Sequence, residues 1–222
     1  MEIFKPFTVK EILSTLCLVC KRWRKISYSN ILWRMLPLDE WNIEYLSKSN
    51  LLNIMSHFSG FVYLSMKYIE LETSTINILQ NSLVFASKLV HLDFSGMPIT
   101  SIDFILEGTV PPLEILILDD CKAINTSQYC NLITVIKQLT KLTILSLNGV
   151  ILSPSQAVAI VSSQPELFML GLRGVRLSPV DVTCILQSCT IRLQFLQMSS
   201  FSNNKSVLHA LGAEYDVSIF FS

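Results

Sequence analysis

The segment from Leu142 to Pro179 carries one pattern written twice. Leu142, Leu145, Leu147, Gly149, Val150, Leu152, Ser153 and Pro154 recur 25 residues later as Leu167, Leu170, Leu172, Gly174, Val175, Leu177, Ser178 and Pro179. Eight identities at one offset constrain the fold more than any other feature of the chain. A unit this short cannot bury its own apolar face, so it has to stack on neighbours of the same kind.

The local physics of each copy is direct. In L-x-x-L-x-L the last two leucines lie two apart and fall on one face of a strand, with the intervening residues on the other. Gly-Val then makes a turn, and Ser-Pro supplies a helix N-cap followed by the residue best suited to the first helical position. Ser153-x-x-Gln156 also reads as a capping box. The helix is expected over Pro154 to Ser163, with Ala157, Ile160 and Val161 inward. Strand, turn, helix and return at this period resemble a leucine-rich repeat.

Carried outward, the frame places strand cores at Leu36-x-Leu38, Leu64-x-Met66, Leu92-x-Phe94, Leu116-x-Leu118, Leu145-x-Leu147, Leu170-x-Leu172 and Leu196-x-Met198. The steps between them are 28, 28, 24, 29, 25 and 26 residues. Helices are expected in the gaps: Ser74–Ser87, Ser101–Glu107, Thr126–Leu139, Pro154–Ser163, Pro179–Cys189 and Asn204–Leu211. The position three past the last strand residue is Asn or Cys in leucine-rich repeats. Here it is Ile69, Met97, Cys121, Val150, Val175 and Phe201, so only Cys121 conforms. Val217, Ile219 and Phe221 alternate as a last edge strand would, and an apolar edge calls for cover.

Composition agrees with a stacked array. Half of the 222 residues are hydrophobic, 15% are charged, and the mean hydropathy is +0.48. The apolar residues come in short periodic runs, and none approaches the roughly 18 uninterrupted residues of a membrane helix. MEIFKPF has no basic region followed by an apolar run, so no signal peptide is expected. Charge is uneven: residues 1–34 hold seven basic and two acidic side chains, and the remainder ten and fifteen. Two readings fit, a basic head module on an acidic body or a helix whose Lys21, Arg22, Arg24 and Lys25 form a solvated face. The six cysteines sit in apolar contexts and are expected as buried free thiols in a reducing compartment. Cys17-x-x-Cys20 has no second pair at zinc-ligand spacing, and no metal site is expected from it.

In the head, Ile12, Leu16, Val19, Cys20 and Trp23 recur at helical spacing, and a second apolar run covers Ile31, Leu32, Trp33, Met35 and Leu36. Leu18-Val19-Cys20-Lys21-Arg22-Trp23-Arg24, with Leu32-Trp33-Arg34 ten residues after its tryptophan, resembles the second half of an F-box. With the repeats behind it, the whole chain resembles the F-box/leucine-rich-repeat family. The resemblance implies Leu16, Val19, Cys20, Trp23, Leu32 and Trp33 as the F-box motif, five of them (Val19 onward) as helical core. It also implies docking on a Skp-type adaptor and, through it, a cullin. The Leu-Pro with which the family's F-box opens is absent, so the F-box is expected to be incomplete at its N-terminal side.

The expected fold is therefore α/β: a right-handed leucine-rich-repeat solenoid, parallel strands concave and helices convex, preceded by a small helical F-box-like segment. Residues 1–40 would be the F-box helices and linker, and 41–222 about six repeats. The side chains between the leucines would line the concave face. One column is Tyr63, His91, Ile115, Ile144, Met169 and Phe195; the next is Ser65, Asp93, Ile117, Ser146, Gly171 and Gln197; beyond lie Lys67, Ser95, Asp119, Asn148, Arg173 and Ser199. An apolar stripe with a polar rim is how a protein-binding surface is built, and the first column is the expected substrate-binding site, with Tyr63, Met169 and Phe195 as anchors. The competing reading is cross-strand packing alone. Asp119, Asp120, Arg173 and Arg176 are read as solvated turn charges or as contacts for a charged partner.

No catalytic constellation is present. His57, His91 and His209 are isolated in sequence, and there is no Gly-rich phosphate loop, G-x-S-x-G or H-E-x-x-H. No cofactor and no nucleic-acid partner are expected from a chain of zero net charge and seven glycines. The function implied by the resemblance is a non-catalytic substrate receptor of a Skp–cullin–F-box ubiquitin ligase, working in the cytoplasm or nucleus. The alternative is a protein-interaction scaffold that keeps the repeats but no longer engages the ligase.

Overall fold

One column of leucines runs through the middle of the molecule. Leu36, Leu64, Leu92, Leu116, Leu145, Leu170 and Leu196 pair successively across adjacent parallel strands, and Ile219 continues the column beyond Leu196. All seven leucines are 0% exposed. Each contributes about 1.5–3 kcal/mol by leaving water, so the column is the largest single reason the strands stack in this register. A slip of one residue would turn every leucine outward.

The computed structural model describes residues 11–29, 34–37, 60–69, 78–81, 83–84, 86–121, 124, 129–189, 192–199 and 205–221. Within them lie strands β1 (Met35–Pro37), β2 (Tyr63–Ser65), β3 (His91–Asp93), β4 (Ile115–Ile117), β5 (Ile144–Ser146), β6 (Met169–Leu172), β7 (Phe195–Met198) and β8 (Ser218–Phe221). They form one parallel sheet in strict sequence order. Parallel neighbours cannot be joined by a tight hairpin. The returning segments carry α1 (Lys21–Ser27) before the sheet, then α2 (Tyr129–Gln138), α3 (Pro154–Ser162), α4 (Pro179–Ser188) and α5 (Lys205–Glu214) between later strands. The arrangement is α/β and compatible with a repeat solenoid.

The turn after β2, β3, β4, β5 and β6 is the same device five times. Tyr68, Gly96, Asp120, Gly149 and Gly174 stand five residues past the start of β2 to β6, and all have positive φ, from 56° to 100°. The amide at that position in the first four coils reaches across to the next coil: Tyr68 to Ser95, Gly96 to Asp119, Asp120 to Asn148 and Gly149 to Arg173, at 2.6–2.7 Å. One residue later the chain closes on itself, as Met97 N donates to Phe94 O and Val150 N to Leu147 O. Glycine adopts this backbone without strain, which is why the two sequence copies share it.

Both capping boxes form. Ser153 Oγ accepts from Gln156 N while Gln156 Oε1 accepts from Ser153 N; Ser178 and Asp181 repeat the arrangement on α4. Ala157, Ile160 and Val161 are fully buried beneath α3. The expected helix over Ser101–Glu107 is instead a single 3-10 turn, Asp103–Leu106. Its coil is the shortest, 24 residues from Leu92 to Leu116, and Pro111 and Pro112 deny further helical donors. The expected Asn204–Leu211 helix runs on to Glu214, where Gly212 lets the carbonyl of Val217 approach to 2.7 Å of where a Cβ would stand.

The head differs from its expected form. A π-turn over Ile12–Leu16 leads into Cys17–Val19, and the chain then breaks at Cys20, which is fully extended at φ −161°, ψ 169°. Ile12 and Leu16 join the common core, and Trp23 packs partly buried against it. Val19 and Cys20 do not: Val19 is 59% exposed, its neighbour Leu18 67%, and Cys20 is exposed as well. The break takes both off the inner face. Cys20 becomes the N-cap of α1, its Sγ accepting from Trp23 N at 3.4 Å. Leu32 and Trp33, like Leu38, lie outside the described residues.

Candidate functional site

The face of the sheet opposite the leucine core carries the first outward column. Tyr63, His91, Ile115, Ile144, Met169 and Phe195 sit at matched register positions across β2 to β7, each half-buried. Strands about 4.8 Å apart bring such side chains into mutual contact. Tyr63 and His91 stack with centroids 4.3 Å apart. At the far end Phe195 meets Phe168 edge-on at 5.2 Å and lies nearly parallel to Phe220 at 6.1 Å. The column is thus both packed within itself and open above. Phe168 and Phe220, 37% and 53% exposed, enlarge it; Phe168 lies outside the columns counted from the leucines, and Phe220 pairs in register with Gln197 of the second.

The second and third columns are not simple solvated positions. Asp119 is a hub: its carboxylate accepts from Ser146 Oγ at 2.6 Å, Asn148 N at 3.0 Å and Asn148 Nδ2 at 3.1 Å. Asn148 Nδ2 also lies 3.0 Å from Gln197 Oε1, and Asn148 Oδ1 accepts from Arg173 N at 2.8 Å. Asp93 accepts from both the amide and the hydroxyl of Ser95. A Cβ at Gly171 would stand 2.4 Å from Ser146 Oγ, so glycine is what leaves room for this network. The reading of Asp119 as a solvated turn charge is therefore corrected. Asp120 accepts from Tyr68 Oη at 3.3 Å. A cluster of Ser, Asn and Gln at strand positions otherwise held by apolar residues was the available sequence signal.

Chemistry-bearing groups are few. His91 Nε2 is buried without a hydrogen-bond partner, and desolvation lowers the imidazole's pKa against the opposing pull of Asp93. His209 packs edge-on against Phe221, and His57 lies outside the described residues. Among the described residues no group of three His, Cys, Asp or Glu is placed to hold a metal ion. Cys17, Cys121 and Cys189 are buried, whereas Cys20 and Cys184 are exposed, against expectation. Cys184 lies on the outer side of α4. Burial pushes the Cys121 thiol up to about 12 and that of Cys189 to about 11, so neither is a thiolate near neutrality. Cys121 Sγ instead lies 3.0 Å from Phe94 O in the turn.

A depression of about 440 Å³ opens beside β5 and β6, lined by Thr143, Ile144, Glu166, Phe168, Arg192 and Gln194. Arg192 and Glu166 pair across it at 2.6 Å, both well exposed. No helix among the described residues is long and apolar enough to cross a membrane. Among the described residues this face thus combines a hydrogen-bonded polar network, a group of aromatic rings at one end and a shallow depression beside them. No curated protein matches the sequence. Residues 1–38, a span that includes α1 and β1, match the F-box-like family.

Proposed function

We propose that this chain is the substrate-recognising subunit of a Skp–cullin–F-box ubiquitin ligase, its residues 41–222 forming a leucine-rich-repeat solenoid and its head holding the adaptor. The observation that carries this reading is the F-box-like match over residues 1–38 in the same chain as a parallel sheet with an open apolar column. F-box proteins are in general non-catalytic adaptors. Leu18 and Val19, exposed side by side in the head, support a docked partner there, since adjacent large apolar side chains are poorly placed in water. The column from Tyr63 to Phe195 is the surface offered to the target.

In this role the protein performs no bond chemistry. It holds a target so that one of its lysines stands near a ubiquitin-conjugating enzyme carried at the other end of the cullin, which raises the effective concentration of the two reactants. Its place of work is the cytoplasm or the nucleus. The test is capture of a purified Skp-type adaptor by the purified full chain, with circular dichroism to show that the chain is folded. Capture that is lost in a Leu18→Asp/Val19→Asp variant is the expected result. A folded chain that retains no adaptor ends the ligase reading and leaves an interaction scaffold.

A further inference from the structure

The two halves of the strand face differ in charge. The strand-and-turn segments 63–72, 91–100 and 115–124 contain five carboxylates and two lysines by sequence. Segments 144–153, 169–178 and 195–204 contain two charged residues in all, Arg173 and Arg176. Both arginines follow β6 in the turn through Gly174. Neither guanidinium is paired among the described residues; Arg176 is exposed and Arg173 half-buried. Of the two carboxylates in the turn two strands away, Asp119 is occupied by Ser146 and Asn148, and Asp120 accepts from Tyr68 Oη. The same half of the face holds the exposed rings Phe168 and Phe220 with Phe195 between them.

We propose that the face of β5 to β8 takes an extended acidic polypeptide segment, an aromatic or branched aliphatic side chain resting on the Phe168–Phe195–Phe220 platform and a carboxylate on Arg173 and Arg176. This rests on the reading of the strand face as the target-binding surface and names the kind of target segment it fits. Arg173 and Arg176 are the charged residues of these strand-and-turn segments and are unpaired among the described residues, so a partner that covers them has to bring negative charge. Guanidinium groups also match carboxylates in a bidentate fork. Along β6, Met169 and Arg173 are four residues apart, about 13 Å. An extended peptide spans that distance in about four residues, which sets the separation of anchor and acid.

The test is selection of a random-peptide display library on the purified full chain at low salt, followed by fluorescence anisotropy with an enriched peptide. Enrichment of peptides bearing an aromatic or aliphatic residue about four positions from one or two acids is expected. Binding of the enriched peptide should weaken about tenfold or more in R173E/R176E, should weaken in F220A, and should fall as salt is raised. Arg176 and Phe220 are exposed and Arg173 is half-buried, and a thermal melt confirms folding of each variant. No enrichment, enrichment of basic or uncharged peptides, or binding indifferent to the arginine changes overturns the proposal. The two readings fail separately. Adaptor capture without acidic-peptide binding sinks only this inference, and acidic-peptide binding without adaptor capture sinks only the ligase.

Discussion

The coils that begin at β5 and β6 and the coil that begins at β3 solve one problem with different means. The former pair carries matching leucines, a turn glycine, a Ser-Pro start and nine- or ten-residue helices with full capping boxes. The β3 coil has the leucine, the turn glycine and then only a 3-10 turn. Yet Leu92 and Leu116 are as completely buried as Leu145 and Leu170. The inward residue and the left-handed turn are common to the coils of β2 to β6. The return segment on the other side is filled by whatever length of chain is left.

The largest test of that equivalence is in the leucine column. Leu145→Ala and Leu116→Ala should each lower the unfolding free energy by about 2–5 kcal/mol in urea titrations. A Leu116→Ala cost less than half that of Leu145→Ala would show the helix-poor coil to be loosely packed and would break the comparison. Next in size is the turn. Gly149→Ala places a Cβ at φ 73° and 2.3 Å from Asp120 Oδ1, and should cost about 1–3 kcal/mol. Asp120→Gly, at the same position one coil earlier, should gain about 0.5 kcal/mol. Opposite signs from the two substitutions are the result to look for in the unfolding midpoints; equal signs would mean that the left-handed turn is not the shared constraint.

Smaller effects sharpen the contrast between return segments. Ser153→Ala and Ser178→Ala should each cost about 1 kcal/mol by removing a cap from a full helix. Ser101 Oγ accepts from Asp103 N at 3.0 Å just before a single turn whose N-cap, Ile102, makes no side-chain cap bond, and Ser101→Ala should cost about 0.5 kcal/mol in the same assay. Smallest is the pH response of His91. Its folded-state pKa lies below the unfolded value of 6.5 through burial, so the unfolded chain takes up a proton first. Stability should be full above about pH 6.5 and fall as pH drops from there toward the lowered folded pKa. Comparing midpoints at pH 7.5 and 5.5 with those of His91→Gln isolates this residue; a slope unchanged by the substitution assigns it elsewhere.

What the chain betrayed in advance was whatever repeats. Leucine spacing is a packing rule applied at every coil, so the register Leu36 to Leu196 could be written from the letters alone. The same holds for Ser153 and Ser178, because capping is a local bond over three residues. Features that depend on one place in the fold left weaker traces. Helical spacing through Leu16, Val19 and Trp23 concealed the extended Cys20 that puts Val19 in water, since periodicity averages over a single broken dihedral. Asp119 reads as a turn charge until Ser146 and Asn148 arrive from another coil. Phe168 lies outside the leucine-counted columns and is recruited by Phe195 across a strand gap. The first outward column could be named by counting; how much of it packs on itself could not.

The carbonyls that launch each coil suggest how a disturbance would travel. Arg34, Val62, Val90, Glu114, Thr143 and Phe168 each accept two amides of the coil that follows, and no strand bonds to any but its immediate neighbours. Among the described residues the sheet thus has no backbone tie that reaches beyond a neighbouring strand and forces its ends to respond together. Binding or damage at β8 should tighten or loosen amide hydrogen exchange most in β7, less in β6, and fade before it reaches the head. Under the proposed function, adaptor and target would then be joined by a spacer rather than by a signalling line.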